Sequence, residues 1–219
     1  MTSLQLFAGA NIAAVRNGDG EWEVVQFRTA ELIAPGTYEL SELLRGQGGT
    51  GFAMRPAVAA GARFVLVNTA LARLDLAAAE IRLPYQWRAG PSTRDIGDAS
   101  YVAIAHTFQG LGLKPLAPVH VRATRTGGDV DIEWIRRTRM GGDGWEAPEV
   151  PLAEDAERYE VDILDGSDVV RTLASATPAV TYSAAAQSAD FGAPQPSYDI
   201  RVYQLSAAYG RGTPRPAVV

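Results

Sequence analysis

The sequence predicts a mainly β protein: an N-terminal β-rich domain over residues 1–113, then an immunoglobulin-like β-sandwich over residues 114–219. Three observations carry this expectation. Short runs that alternate apolar and polar residues recur along the chain, Gly- and Pro-containing turn signals separate them, and helical periodicity is weak. Six or seven such runs fall within residues 114–219, the strand number and spacing of a sandwich. A stretch without any period, Gly110-Leu111-Gly112-Leu113-Lys114-Pro115-Leu116-Ala117-Pro118, marks the boundary.

In chain order, Asn17-Gly18-Asp19-Gly20 is a turn signal followed by the alternating run Glu21 to Phe27, which predicts a hairpin. Ala34-Pro35-Gly36 separates Ala30–Ile33 from Thr37–Leu40; Pro35 presets the turn and Gly36 can take the positive φ that follows. Arg63 to Val67 is continuously apolar after its first residue and predicts a buried strand. Leu71 to Ala79 has the composition for one or two helical turns, and Glu80–Trp87 and Tyr101–His106 predict further strands. Beyond the boundary, Val119–Ala123 opens the sandwich. Asp129 to Trp134 then places Val130, Ile132 and Trp134 on one face. Tyr159–Ile163, Val169–Leu173 and Tyr198–Tyr203 continue the pattern, and a Gly210-Arg211-Gly212 turn leads to the last segment.

Composition narrows the function. The chain has 219 residues, a formal charge of −5 and no cysteine, which excludes disulfides, thiol catalysis and cysteine-ligated metals. Residues 1–113 carry a net −1 and residues 114–219 a net −4, so neither part is a basic nucleic-acid module. Nineteen of the 20 basic residues are arginine; Lys114 is the single lysine. No run approaches the roughly 18 apolar residues of a spanning helix, and the first basic residue, Arg16, follows the apolar start, unlike a signal peptide.

Two resemblances follow from particular residues. Leu116-Ala117-Pro118-Val119-His120-Val121, Asp131-Ile132-Glu133-Trp134 and Tyr198-Asp199-Ile200-Arg201-Val202-Tyr203 before Gly210-Arg211-Gly212 resemble the first, second and sixth strands of a fibronectin type III domain. The insertion from Arg136 to Asp155 is longer than that family's usual connection. Over residues 11–115, Leu43-Leu44-Arg45-Gly46-Gln47-Gly48-Gly49-Thr50 resembles a stretch of phage-tail host-specificity proteins, including the large baseplate proteins of gene transfer agents. Phe27-Arg28-Thr29-Ala30-Glu31 before it and Gly61–Leu66 after it fit the same family. That resemblance implies the C-terminal part of a longer tail-tip protein whose glycosidase-like barrel and hub domains lie upstream.

The chemistry-bearing motifs each have a plain structural alternative. Gly46-Gln47-Gly48-Gly49-Thr50-Gly51 satisfies G-x-G-x-x-G, but Pro56 follows soon after and no acidic residue stands about 20 positions on. It reads as a loop. Asp129, Asp131 and Glu133 share one strand face at about 6.6–7 Å spacing, inside the range of a glycosidase pair, yet read as a solvated face. Glu154, Asp155 and Glu157, and Asp165 with Asp168, lack the ladder of a calcium loop and read as turn acids. His106 and His120 read as edge or hydrogen-bonded histidines. Trp134 and Trp22 are expected to be packed. The candidate ligand-binding residues are Trp145, the leading one, with Trp87, Tyr85 and Arg88, because loop aromatics offer flat faces to sugars.

The expectation is a non-enzymatic segment of a phage-like tail tip or baseplate, without cofactor or metal, that helps attach the particle to envelope polysaccharide. The alternative is a structural spacer or assembly module, and a glycan-degrading enzyme is the weakest of the three. The partners implied are other tail subunits and recipient-cell polysaccharide, with no nucleic acid and no membrane insertion. In the particle, made in the bacterial cytoplasm and released, the chain is expected at the tail tip as a homo-oligomer, a trimer.

Overall fold

A computed structural model describes residues 1–142 and 149–219. The chain gathers into two compact units, Met1–Leu71 with Leu113–Val219, and Ala72–Gly112.

The first unit begins with a short helix, α1 (Ser3–Phe7), held by a reciprocal cap. The Gln5 amide N–H donates to Thr2 Oγ1 at 3.2 Å and the Thr2 N–H to Gln5 Oε1 at 3.0 Å. Strands β1 (Ile12–Arg16), β2 (Trp22–Ala34), β3 (Thr37–Gln47) and β4 (Phe64–Leu66) form an antiparallel sheet in the order β3-β2-β1-β4. Asn17 builds the β1–β2 turn: its Oδ1 accepts the N–H groups of Asp19 and Glu21 at 3.0 and 2.9 Å. Gly36, at φ +70°, completes the Pro35-Gly36 turn. Gln26 is buried, and its amide donates to the carbonyls of Leu6 and Ala10 at 2.7 and 2.8 Å, so α1 is tied to the sheet.

Three expectations are corrected here. Arg63–Val67 is not a buried strand: only Phe64–Leu66 pairs, at the sheet edge against β1, with Phe64 48% and Leu66 43% exposed. An apolar run shows what a segment prefers, not whether a second layer covers it. Trp22 is 37% exposed, because it opens β2 opposite Arg16 at the end of the β1–β2 ladder. Leu71–Ala79 is not helical beyond a 3-10 turn at Ala78–Glu80. Leu71 and Leu74 are exposed, and a short helix without a buried stripe does not repay its nucleation cost.

The second unit holds the antiparallel hairpin β5 (Pro84–Ala89) and β6 (Val102–Thr107). The strand expected from Glu80 starts four residues later, after the 3-10 turn and Arg82 at φ +68°.

Residues 119–219 fold as β7 (Val119–Thr126), β8 (Asp129–Ile135), β9 (Tyr159–Asp165), β10 (Asp168–Ser175), β11 (Ala179–Tyr182), helix α2 (Ala184–Phe191), β12 (Asp199–Ser206), β13 (Gly210–Arg211) and β14 (Arg215–Val218). One sheet has the order β11-β8-β7. In the other, β10-β9-β12 continues to β13 and β14, which both pair with β12. This is a fibronectin type III-like sandwich. Val130, Ile132 and Trp134 from the first sheet and Tyr159, Val161, Ile163, Ile200 and Val202 from the second form one buried core, each aliphatic chain contributing about 1.5–3 kcal/mol by leaving water. Trp134 is 4% exposed and meets Tyr159 edge-on at 5.1 Å.

The crossover to β12 is locked by a polar knot. Tyr198 Oη accepts the Gln195 N–H at 2.6 Å and donates to Gln187 Oε1 at 2.9 Å. The fully buried Gln187 amide donates to the Tyr182 and Gly128 carbonyls. This is the role of the tyrosine corner in such sandwiches. Helix α2 has no periodic signal in its alanine-rich sequence; it is capped by Ser183, and its Asp190 is gripped by Arg171 at 2.6 and 2.7 Å and by the Tyr182 hydroxyl.

Candidate functional site

The Leu43–Thr50 motif explains itself as architecture. Glu23, nearly inaccessible on β2, accepts both Arg45 Nε at 2.9 Å and Arg45 Nη2 at 2.5 Å, and its Oε1 also takes the Gly46 N–H at 3.0 Å. Gly46 stands at φ +62°, where an added Cβ would lie 2.8 Å from Met54 Sδ and 3.0 Å from Gly51 Cα. Thr50 Oγ1 accepts the Val24 N–H and donates to the Gln47 carbonyl. A 3-10 turn, Thr50–Ala53, follows the glycines instead of the α-helix that a dinucleotide site requires. The motif thus folds the strand end back onto β2.

The aromatic candidates stand on a strand, not in a loop. Tyr85 and Trp87 share one face of β5, opposite His106 and Ile104 of β6. Their rings lie 5.9 Å apart, Trp87 meets Phe108 edge-on at 5.6 Å, and His106 meets Phe108 at 4.5 Å. Tyr85 Oη donates to Glu80 Oε1 at 2.9 Å. That carboxyl is held below its usual range by the Ala77 N–H and then by Tyr85, while the Tyr85 hydroxyl is pushed up by Glu80. Arg88 lies on the opposite face and donates to the Ile96 carbonyl at 2.8 Å, closing its own loop instead of reaching outward. Gly90 lets the chain run under Tyr101: a Cβ there would lie 2.5 Å from the ring. Trp87 Nε1 is buried without a hydrogen-bond partner. The hairpin therefore offers a half-exposed aromatic stripe extended by Ile104. Trp145 lies outside the described residues.

The acids are mostly occupied. Asp129 Oδ1 accepts the Ala184 N–H and Asp131 Oδ1 the Thr181 hydroxyl, each at 2.7 Å, so both tie β8 to the β11–α2 connection. Glu154 pairs with Arg139 at 2.9 Å. Asp155 accepts the Ala207 N–H and Arg158, which hold its carboxyl below the usual range. Glu157 accepts the Tyr159 hydroxyl. No group of three or more metal-ligating side chains occurs among the described residues. His106 and His120 are both exposed, and His120 takes φ +52° at the β7 bulge.

One polar network has no sequence-level signal. Arg211, from the Gly210-Arg211-Gly212 turn, binds Glu160 at 2.5 Å and Asp162 at 2.7 and 2.9 Å, and lies 4.6 Å over the Tyr203 ring. Thr172 also donates to Asp162. Burial pushes the Asp162 carboxyl up, but the bonds from Arg211 and Thr172 outweigh it and the carboxyl is held low. Pairing Arg211 with the two acids needs the β9–β12 register, which local pattern does not supply.

Residues 1–65 match the model of the family described as Rcc01698-like, C-terminal, a gene transfer agent-type family. No curated protein matches the chain. Among solved structures, the rat CD45 extracellular region, domains d3-d4, is similar at 11% identity and a TM-score of 0.33, covering 87% of this chain and 93% of that one. The chicken interferon gamma receptor alpha chain is similar at 11% identity and a TM-score of 0.31, covering 94% and 95%.

Proposed function

We propose that the chain is a non-enzymatic segment of a phage-like tail-tip or baseplate protein that contributes to attachment to a cell envelope, through its polysaccharide. The observation that carries this reading is the match of residues 1–65 to the gene transfer agent-type family; the fold alone carries no function. The β5–β6 hairpin supplies the contact surface, since Tyr85 and Trp87 present aromatic faces of the kind on which sugar rings stack. A single such stripe binds weakly, and several copies on one particle raise the avidity. The test is binding of fluorescently labelled, multimerised chain to recipient cells and to the same strain stripped of capsule. Saturable binding that disappears on stripping and falls in Trp87→Ala supports the reading. A folded multimer that binds neither surface overturns it.

A second reading, a structural module that packs against neighbouring tail subunits, is favoured by one observation. Leu32, Ile33, Tyr38, Phe64 and Leu66 of the N-terminal sheet are exposed, apolar side chains of the kind that subunit interfaces cover. Under that reading Tyr38 and Phe64 become inaccessible in the assembled particle, which side-chain footprinting of particle and free chain measures.

A further inference from the structure

Where the Leu43–Thr50 motif meets the sandwich, a cleft of ≈ 380 Å³ opens, the volume of a small-ligand site. One wall is glycine backbone, open at Gly51, where nothing lies within 4 Å of an added Cβ and a ligand can approach the main chain closely, while Met54 packs against Gly46. Phe52 and Leu116 give it an apolar floor, and Arg137 and Arg215 supply its charge; no carboxylate lines it among the described residues. The connection is fixed in place. Thr213 N–H donates to the Pro115 carbonyl at 2.9 Å, and Gly212 is so close to the Pro115 and Gln204 carbonyls that a Cβ would lie 2.7 and 2.8 Å from them.

Neither guanidinium pairs with an acid among the described residues. Among the described residues Arg137 spends only its Nε, on the Ala117 carbonyl at 2.8 Å, which leaves its terminal nitrogens without a partner there. The Arg215 side chain makes no hydrogen bond or ion pair among the described residues. The Arg137 pKa is held below the usual guanidinium value, first by burial and then by the like charge of Arg215. Lys114 adds a third cation, its Nζ 4.6 Å over the Phe52 ring. In a chain of net charge −5, nine arginines pair with acids among the described residues, and this cleft instead gathers Arg137 and Arg215, which do not. Like charges brought together at a cleft favour an anion between them.

We propose that this cleft binds an acidic saccharide unit, its carboxylate between Arg137 and Arg215 and its ring against Phe52 and the glycine wall. The saccharide part rests on the attachment reading above, and the anion part does not. The test is calorimetric titration at low ionic strength with three probes: methyl glucuronide, neutral methyl glucoside and inorganic phosphate. Each is run on the full chain and on the Arg137→Gln/Arg215→Gln variant, whose fold is checked by circular dichroism. The expected result is saturable binding of the glucuronide, no binding of the neutral glucoside, and affinity at least about tenfold lower for phosphate and for the variant, the scale of losing charge-assisted hydrogen bonds. Absence of glucuronide binding, or equal binding by the variant, overturns the site. Phosphate binding as tight as glucuronide overturns the saccharide assignment. If cells bind the chain while the glucuronide does not, the cleft alone falls; if the glucuronide binds while cells do not, the attachment reading falls.

Discussion

The N-terminal sheet and the C-terminal sandwich are built from similar strands but hold themselves together differently. Among the described residues, the sandwich closes two sheets over a core of ten buried residues, whereas the central core of the N-terminal sheet has three, Ala13, Val25 and Phe27. What the first sheet lacks in apolar burial it replaces with specific polar bonds: Glu23 with Arg45, Gln26 with α1, and Asn17 within its own turn and to the Ala53 carbonyl. A layered core is non-directional and tolerant of detail, while a small sheet held by a few buried polar groups depends on each one.

That contrast is broken most forcefully at the two centres. Trp134→Ala removes the largest side chain of the sandwich core and is expected to cost about 3–5 kcal/mol in urea unfolding. Arg45→Ala leaves the buried Glu23 carboxylate without its counter-charge, held by the Gly46 N–H, and about 3 kcal/mol is expected, read as selective loss of protection in β2 and β3. The double replacement Glu23→Met/Arg45→Met is expected to recover most of that loss, since it leaves no unpaired charge; failure to recover would show that the geometry, not the charge, matters. Tyr198→Phe keeps the ring and strands Gln187 Oε1 and the Gln195 N–H, with an expected cost of about 1–3 kcal/mol.

How much of this is legible from sequence follows the same division. Val130, Ile132, Trp134 and Ile200 announce the sandwich because one face of each strand is buried and the other is not, which is what alternation records. The Arg63–Val67 run misleads because hydrophobicity does not report whether a covering layer exists. Helix α2 is silent because its alanines carry little amphipathic signal and its hold comes from Gln187 and Asp190. Arg45 with Glu23 and Arg211 with Asp162 join residues 22 and 49 apart, a matter of strand register beyond any local window. Of the candidate site residues, Tyr85 and Trp87 share a face, Arg88 turns away to its loop, and the Arg137–Arg215 cleft depends on a meeting of segments too distant to read along the chain.

Acid should act on the paired carboxylates of the sandwich. Asp162 and Asp190 are held low by arginine bonds, so their stabilisation is fully present above the unfolded carboxyl value, near 3.9. It is lost as pH falls through the lower folded values. Asp162→Asn is expected to flatten the fall in stability below about pH 4 in denaturant titrations. The smallest effect is expected at Glu133→Gln, an exposed acid on β8, where a change within about 0.5 kcal/mol marks a solvated face.

The most direct test of the contrast itself is amide hydrogen exchange along the intact chain. Amides of β8, β9 and β12 are expected to exchange only with global unfolding. Those of β4 and the distal β2–β3 hairpin, residues 29–41, should exchange through local opening orders of magnitude faster. Equal protection in the two regions would contradict the account, because it would mean that the sheet with three buried core residues is as well held as the sandwich with ten.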